Sequence, residues 1–140
     1  MPHSDESRES ISQILATVRT IALVGASANA ARDSHSVMRF LQAKGYRVIP
    51  VNPGLAGQSL NGETVYASLA DIPEKIDMVD VFRNSEAAGP VTDEAVKIGA
   101  KVVWMQLGVV NEEAAARARK AGVKVVMNHC PKIEIGKRDL

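Results

Sequence analysis

The residues best suited to chemistry in this sequence begin with a short turn that follows a buried apolar segment. Residues 21–24 are apolar, Gly25 ends the run, and Ser27, Arg32 and Ser34 follow before the next apolar periodicity. A helix N-terminus binds phosphate through its free backbone N–H groups and its dipole. Two hydroxyl groups and a guanidinium add donors. The pattern predicts an anion-binding turn, with a capped helix and a solvated arginine as the alternative.

The same turn departs from the fingerprint of dinucleotide-binding proteins. The pattern Gly-x-Gly-x-x-Gly would require glycine at the positions that Ser27 and Ala30 occupy. The acidic residue that normally binds the ribose hydroxyls after the second strand is replaced by Asn52. An NAD(P)-dependent enzyme is therefore only the weaker alternative.

Two further segments carry polar groups where strands are expected to end. Phe82 and Arg83 could hold a base and neutralise a phosphate, or Phe82 could be core while Arg83 pairs with Asp80 or Glu86. Residues 106–108 could offer amide and backbone groups to a ligand, or form an ordinary strand-to-helix turn. Both segments are candidates for the wall of a binding site.

Candidates for catalysis are few. The chain has three histidines and one cysteine. His3 lies in a polar tail, and His35 begins a helix, where we expect it to face solvent. His129 and Cys130 follow the last strand, but adjacent side chains on extended backbone point apart, and no third group orients them. The Walker, His-Glu-x-x-His and Gly-x-Ser-x-Gly patterns are absent. We predict no catalytic residue and no metal site, and expect Cys130 to be buried.

Composition narrows the class of protein. The chain has 140 residues, of which 46% are hydrophobic and 24% charged, which fits one globular domain. Seventeen basic and sixteen acidic side chains leave a net charge of +1, so nothing favours nucleic acid or an anionic membrane. One cysteine allows no internal disulfide. No apolar run is long enough to span a membrane and the N-terminus is polar, so we expect a cytoplasmic protein.

Apolar periodicity supplies the elements that would position these groups. Helical spacing predicts an N-terminal helix over residues 5–18, capped by Ser4. Alternating short apolar runs and helical patterns follow. Strands are predicted at 21–24, 47–51, 77–82, 101–105 and 124–127, with at most a short one at 64–66. Helices are predicted at 34–44, within 85–98 and at 112–121, with at most a short one at 68–75.

This alternation predicts an α/β fold with a doubly wound parallel sheet in the order 3-2-1-4-5-6. Pro50 is expected near the end of the second strand, beyond the paired region. The candidate groups above all follow strands, so they should meet in a crevice at the carboxyl ends. We expect one domain over residues 1–140, with a helix at 1–19 and the core at 20–134.

The segments 21–27, 32–34, 45–53, 77–83 and 99–108, with His129 and Cys130, resemble the stand-alone CoA-binding proteins. These are similar to the N-terminal domain of the succinyl-CoA synthetase α subunit. The resemblance runs from about residue 20 to residue 134. It implies a Rossmann-like domain that binds coenzyme A or an acyl-CoA.

The resemblance also implies which residues contact the ligand. Residues 25–27 of the first turn would hold the diphosphate, with support from Arg32 and Ser34. Asn52 and Pro53 would flank the nucleotide, and Phe82 and Arg83 would line the opposite wall. Gln106 and Gly108 would lie nearer the pantetheine arm. The implied set is Gly25, Ala26, Ser27, Arg32, Ser34, Asn52, Pro53, Phe82, Arg83, Gln106 and Gly108.

Two functions stay open at this point. The first is a CoA-binding module without chemistry of its own, in which case the protein is not an enzyme. The second is a subunit of an acyl-CoA ligase whose catalytic groups come from a partner chain, because no second domain for such chemistry is evident in the sequence. The acyl group and any protein partner stay open as well.

Overall fold

The computed structural model describes residues 7–138. It contains five α-helices and seven strands within that range, joined by short loops and two 3₁₀ turns at Pro53–Leu55 and Leu69–Asp71. The second turn stands where at most a short helix over 68–75 was predicted. The elements are α1 Arg8–Thr17, β1 Thr20–Val24, α2 Asp33–Ala43, β2 Arg47–Val51, β3 Ser59–Leu60, β4 Glu63–Thr64, β5 Met78–Val81, α3 Ser85–Lys97, β6 Val102–Met105, α4 Glu112–Lys120, β7 Lys124–Val126 and α5 Pro131–Arg138.

Five parallel strands form the central sheet in the order β2-β1-β5-β6-β7. Helices α1, α2 and α5 cover one face, and α3 and α4 cover the other. The doubly wound α/β prediction is therefore confirmed, and the fold is Rossmann-like. No helix within residues 7–138 has the length and apolar character that crossing a membrane would require.

The short strand predicted at 64–66 is found only in part, and it does not become a sixth strand of the main sheet. Its neighbourhood forms the small antiparallel hairpin β3–β4, and a single parallel bridge between Val51 and Tyr66 reaches the edge of the main sheet. Of residues 64–66, only Val65 is buried. One inward side chain gives too little apolar burial to hold a sixth strand along β2.

Pro50 lies inside the paired part of β2, not beyond it. It is in register with Leu23, and pairing continues to Val51. The carbonyl of Pro50 accepts a hydrogen bond from the amide of Tyr66 on the outer side of β2. The missing N–H of Pro50 faces that same outer side, because both backbone groups of a strand residue point the same way. An edge strand tolerates this loss.

Helix α1 begins later than predicted. Ser7 is its N-cap, with extended backbone, and its side chain accepts a hydrogen bond from the amide of Ser10. The helix therefore cannot run through position 7. The cap predicted at Ser4 and the first two predicted helical residues lie outside the described range. Ile11, Ile14 and Leu15 provide the buried face, as the periodicity indicated.

Helix α5 was not predicted, and it completes one face of the molecule. Pro131 occupies the first turn, a position where its missing N–H costs nothing. Arg138 donates hydrogen bonds to Glu134 (2.8 Å) and to Ser12 on α1 (2.6 Å), which fastens α5 to α1. Burial alone would raise the pKa of Glu134, but hydrogen bonds from Arg138 and His129 lower it.

Candidate functional site

A crevice of about 920 Å³ opens at the carboxyl ends of β1, β5 and β6. This is where a doubly wound sheet reverses its winding and where such folds bind ligands. Eight of the eleven predicted contact residues line it: Gly25, Ala26, Ser27, Arg32, Asn52, Phe82, Arg83 and Gln106.

The other three predicted residues lie elsewhere. Ser34 is buried and lines a smaller cavity that shares Gly25, Arg32 and Phe82 with the crevice. Pro53 lines a further cavity, at the end of β2, that shares Gly25, Asn52 and Arg83 with the crevice. Gly108 is outside the residues that line these cavities, and its amide donates to Asn128 Oδ1 at 2.7 Å. The structure thus groups the first turn with the ends of β5 and β6, and leaves Gly108 in a loop.

The β1–α2 turn is held against β5 by backbone contacts. The amide of Phe82 donates to the carbonyl of Val24 at 2.8 Å. Gly25 has a φ of +97°, and a Cβ at this position would clash with the Phe82 carbonyl oxygen and lie 2.9 Å from its carbon. Only glycine allows this approach, so Gly25 fixes the floor of the crevice.

Asn52 fixes the other side of the same turn. Its Nδ2 donates to the carbonyl of Ala26 at 2.7 Å, and its Oδ1 accepts from the amide of Gly54 at 2.8 Å. The side-chain amide therefore bridges the end of β2 to the first turn. Both its polar atoms are engaged by the protein, so Asn52 shapes the site through the turn that it holds.

The start of α2 leaves donors available at the crevice. Arg32 is the N-cap residue, and its guanidinium, which has only donors, cannot cap the amides of the first turn. The amides of Asp33 and Ser34, in the first helical turn, have no partner within the helix. Ser27 Oγ accepts from the amide of Asn29 at 3.0 Å, which leaves its O–H free to donate. These groups together form an anion-binding arrangement.

Three cations line the crevice, against one carboxylate. They are Arg32, Arg83 and Lys132, and the carboxylate is Asp33. The alternative in which Arg83 pairs with Asp80 or Glu86 is wrong, since no ion pair joins them in the part of the chain that the structure describes. Arg83 is exposed at the crevice wall and is available to an anionic ligand.

Helix α5 contributes residues that sequence reasoning missed. Lys132 and Ile133 line the crevice, and Lys132 Nζ donates to Ser36 Oγ on α2 at 3.1 Å. The same Nζ lies 5.7 Å from the ring centroid of Phe40. Pro131 at the first helical position, with the acidic Glu134 in the first turn, is a helix-start signal that could have located them.

The histidines in the described range and the cysteine have different surroundings. His35 is buried rather than solvent-facing, because it precedes Met38 by one turn and shares its sheet-facing side. His129 Nδ1 lies 3.3 Å from Glu134 Oε2, so a third group does exist. However, His129 lines a different cavity, whereas Cys130 lines the crevice and is 7% exposed. Among residues 7–138, no group of three or more metal-ligating side chains is clustered.

Comparisons with known proteins agree with this geometry. The model of a family described as "CoA binding domain" matches residues 19–136. The chain is 39% identical to the uncharacterized protein YneT of Bacillus subtilis (strain 168), over 91% of this chain and 93% of that protein. A solved structure of a hypothetical protein from Pyrococcus horikoshii OT3 is 40% identical, with a TM-score of 0.89 over 94% of this chain and 91% of that one.

A longer relative has a named activity. The chain is 28% identical to the alpha subunit of ADP-forming acetate–CoA ligase I from Pyrococcus furiosus. That match covers 77% of this chain but only 26% of the ligase subunit. The chain therefore corresponds to about a quarter of that protein.

Proposed function

The chain belongs to the CoA-binding domain family, and from that premise we propose that its crevice binds coenzyme A or an acyl-CoA as a binding module. The first turn and the start of α2 hold the diphosphate, with Arg32 and Ser34 as additional donors. Arg83 and Phe82 form the opposite wall. Gln106 lies toward the pantetheine arm.

The observation that carries this proposal is the placement of three cations around one crevice in a chain of net charge +1. Arg32 and Arg83 approach from the ends of different elements, and Lys132 approaches from α5. CoA carries a diphosphate and a separate phosphate, so a site that binds it needs positively charged side chains at more than one place. A protein with almost no net charge can attract such a ligand only through a local arrangement of this kind.

The similarity to the ligase subunit supports a second candidate. In that case the chain presents CoA to a partner that carries the catalytic groups, because it spans about a quarter of the ligase subunit. The crevice would bind the same ligand in both cases. The two proposals differ in whether a second chain is required for any turnover, and co-purification with a nucleotide-binding ligase chain would favour the second.

Substitution of the crevice arginines tests the proposal. Arg32→Gln and Arg83→Gln should each weaken CoA binding about tenfold, since each removes a charge-assisted hydrogen bond to phosphate. Pantetheine, which lacks phosphate, should be affected much less. The measurement is isothermal titration calorimetry at fixed ionic strength, because phosphate contacts are screened by salt.

Arg39→Gln is the matched control, because Arg39 is an exposed arginine on α2 that does not line the crevice. It should leave CoA affinity unchanged. If the crevice variants bind CoA as tightly as the unmodified chain but melt at lower temperature, the arginines have a structural role and the assignment is wrong.

A further inference from the structure

The wall of the crevice exposes two large apolar side chains. Among residues 7–138, the exposed large hydrophobic side chains are Leu107 and Ile133, at 55% and 47% of their surface. Both line the crevice. Leu107 follows β6, and Ile133 is in the first half of α5. Large apolar side chains left exposed in the wall of a crevice are typical of a ligand-binding groove.

Hydrogen bonds join the loop that carries Leu107 to the segment that leads into α5, on which Ile133 lies, and these two side chains are called the apolar rim below. The amide of Gly108 donates to Asn128 Oδ1 at 2.7 Å, and the amide of Asn128 donates to Val109 O at 3.2 Å. The amide of His129 donates to Met105 O at 3.3 Å. The loop after β6 is thus joined to the segment that enters α5. The positions of the two rim residues are therefore fixed by hydrogen bonds between the two segments that carry them.

Leu107 and the anion-binding turn follow different strands. The turn follows β1 and Leu107 follows β6, with β5 between them. Two strand spacings separate the ends of β1 and β6, about 10 Å. Ile133 is next to Lys132, whose Nζ reaches Ser36 on α2, and Arg83 follows β5. Cys130 and Val109, each 7% exposed, line the crevice with the rim. A ligand anchored by phosphate at the turn can therefore extend an arm toward apolar side chains.

We propose that the rim formed by Leu107 and Ile133 holds the acyl chain of an acyl-CoA, so that the protein binds alkyl thioesters in preference to free CoA. The inference rests on the proposed function, because phosphate binding anchors the other end of the ligand. An acyl chain is the occupant because the rim is continuous with the cationic crevice. Each methylene that is fully removed from water strengthens binding about fourfold.

Calorimetric titration with CoA, acetyl-CoA and hexanoyl-CoA tests this assignment. The measured quantity is the ratio of the association constant of hexanoyl-CoA to that of CoA. This affinity ratio should be about ten or more, and the association constant of acetyl-CoA should lie between the two. In a chain carrying both Leu107→Ser and Ile133→Ser, the ratio should fall toward one. The ratio is the measured quantity, so any change common to all three ligands does not affect it.

The conservative variant with Leu107→Met and Ile133→Leu is the matched control, because it keeps the apolar surface. Its ratio should stay near that of the unmodified chain. Since both positions are exposed, the serine variant should fold, and circular dichroism with a melting curve checks this.

Three results would overturn the assignment while CoA still binds. These are a ratio near one in the unmodified chain, a high ratio that survives in the serine variant, and a ligand-free dimer that the serine variant converts to monomer in sedimentation equilibrium. The last would make the rim a protein interface. If neither CoA nor any thioester binds, the proposed function itself fails, and this result is distinct from the other three.

Discussion

Asp80 is a carboxyl group placed where apolar side chains are expected. It lies on the central strand β5, in register with Leu23 and Trp104, and is fully buried. Neither carboxyl oxygen has a hydrogen-bond partner among residues 7–138. Burial raises the pKa of Asp80 well above its ordinary range. An acid in this position is costly to the fold, since its polar atoms lose water without gaining partners.

The raised pKa sets the direction of the pH dependence. The folded chain keeps the Asp80 proton at pH values where the unfolded chain has already released it. The contribution of Asp80 to stability is therefore most favourable below the ordinary aspartate pKa, and it is lost as the pH rises through the folded-state value.

Asp80→Val should therefore stabilise the protein at neutral pH. The expected gain is about 1–3 kcal/mol, or roughly 3–10 °C in melting temperature, because an unpartnered acid is replaced by an apolar side chain. The gain should be smaller at pH 4, where the carboxyl is closer to protonated in both states. Thermal melts of both proteins at the two pH values measure it.

Asp71→Ala serves as the control, because Asp71 is exposed and its removal should change stability by less than about 0.5 kcal/mol. A lower melting temperature for Asp80→Val at pH 7 would contradict the account. It would mean that the carboxyl has a stabilising partner.

Some residues of the site could be predicted from the sequence, whereas the roles of others could not. Gly25 and Arg83 were placed at the crevice because they follow strand ends, which topology brings together, and Arg32 because it precedes α2. The bridging role of Asn52 was not, because a hydrogen bond to the carbonyl of Ala26 depends on the exact course of two loops. Side-chain pairing is not encoded in local sequence, which is why the Arg83–Asp80 alternative could be excluded only from the structure.

At the scale of elements, the junction of β1 with β5 sets the geometry of the crevice. Gly25 and Gly45 share a φ of +97°, but a Cβ at Gly45 would meet nothing within 4 Å. A Cβ at Gly25 would clash with the backbone of Phe82. Comparing alanine substitutions at the two glycines therefore separates the free-energy cost of the backbone conformation from that of the steric clash.

Gly25→Ala should destabilise the protein by about 2–5 kcal/mol, because strain at positive φ and the clash add together. Gly45→Ala should cost about 1–2 kcal/mol, from the strain alone. Denaturant unfolding of both variants measures the difference. Equal losses would show that the turn adjusts without cost and that the contact with β5 is not tight.

Prediction of elements succeeded where apolar periodicity was strong. The bounds of α3 and β2 agree closely with the periodic segments. Helix α5 was missed because its buried residues are few and its stability comes from bonds to α1, such as that from Arg138 to Ser12. The hairpin β3–β4 replaced a predicted strand because turn geometry, not apolar burial, dominates that connection.

At the scale of the whole molecule, the position of the crevice follows from the sheet order. Alternating strands and helices with right-handed crossovers place the winding reversal between β1 and β5. The position of the crevice could therefore be predicted from the sequence before any side chain was placed. The size of the crevice and the contribution of α5 depend on how distant segments pack, and only the structure supplied them.

Calorimetric titration of the chain with CoA and with NAD tests the central claim most directly. The turn lacks the glycines of a dinucleotide site, and the amide of Asn52 is bound to Ala26 and Gly54 instead of offering a carboxylate to a ribose. CoA should therefore bind at least about tenfold more tightly than NAD, a difference of about 1.4 kcal/mol. Equal affinities, or tighter binding of NAD, would contradict the account.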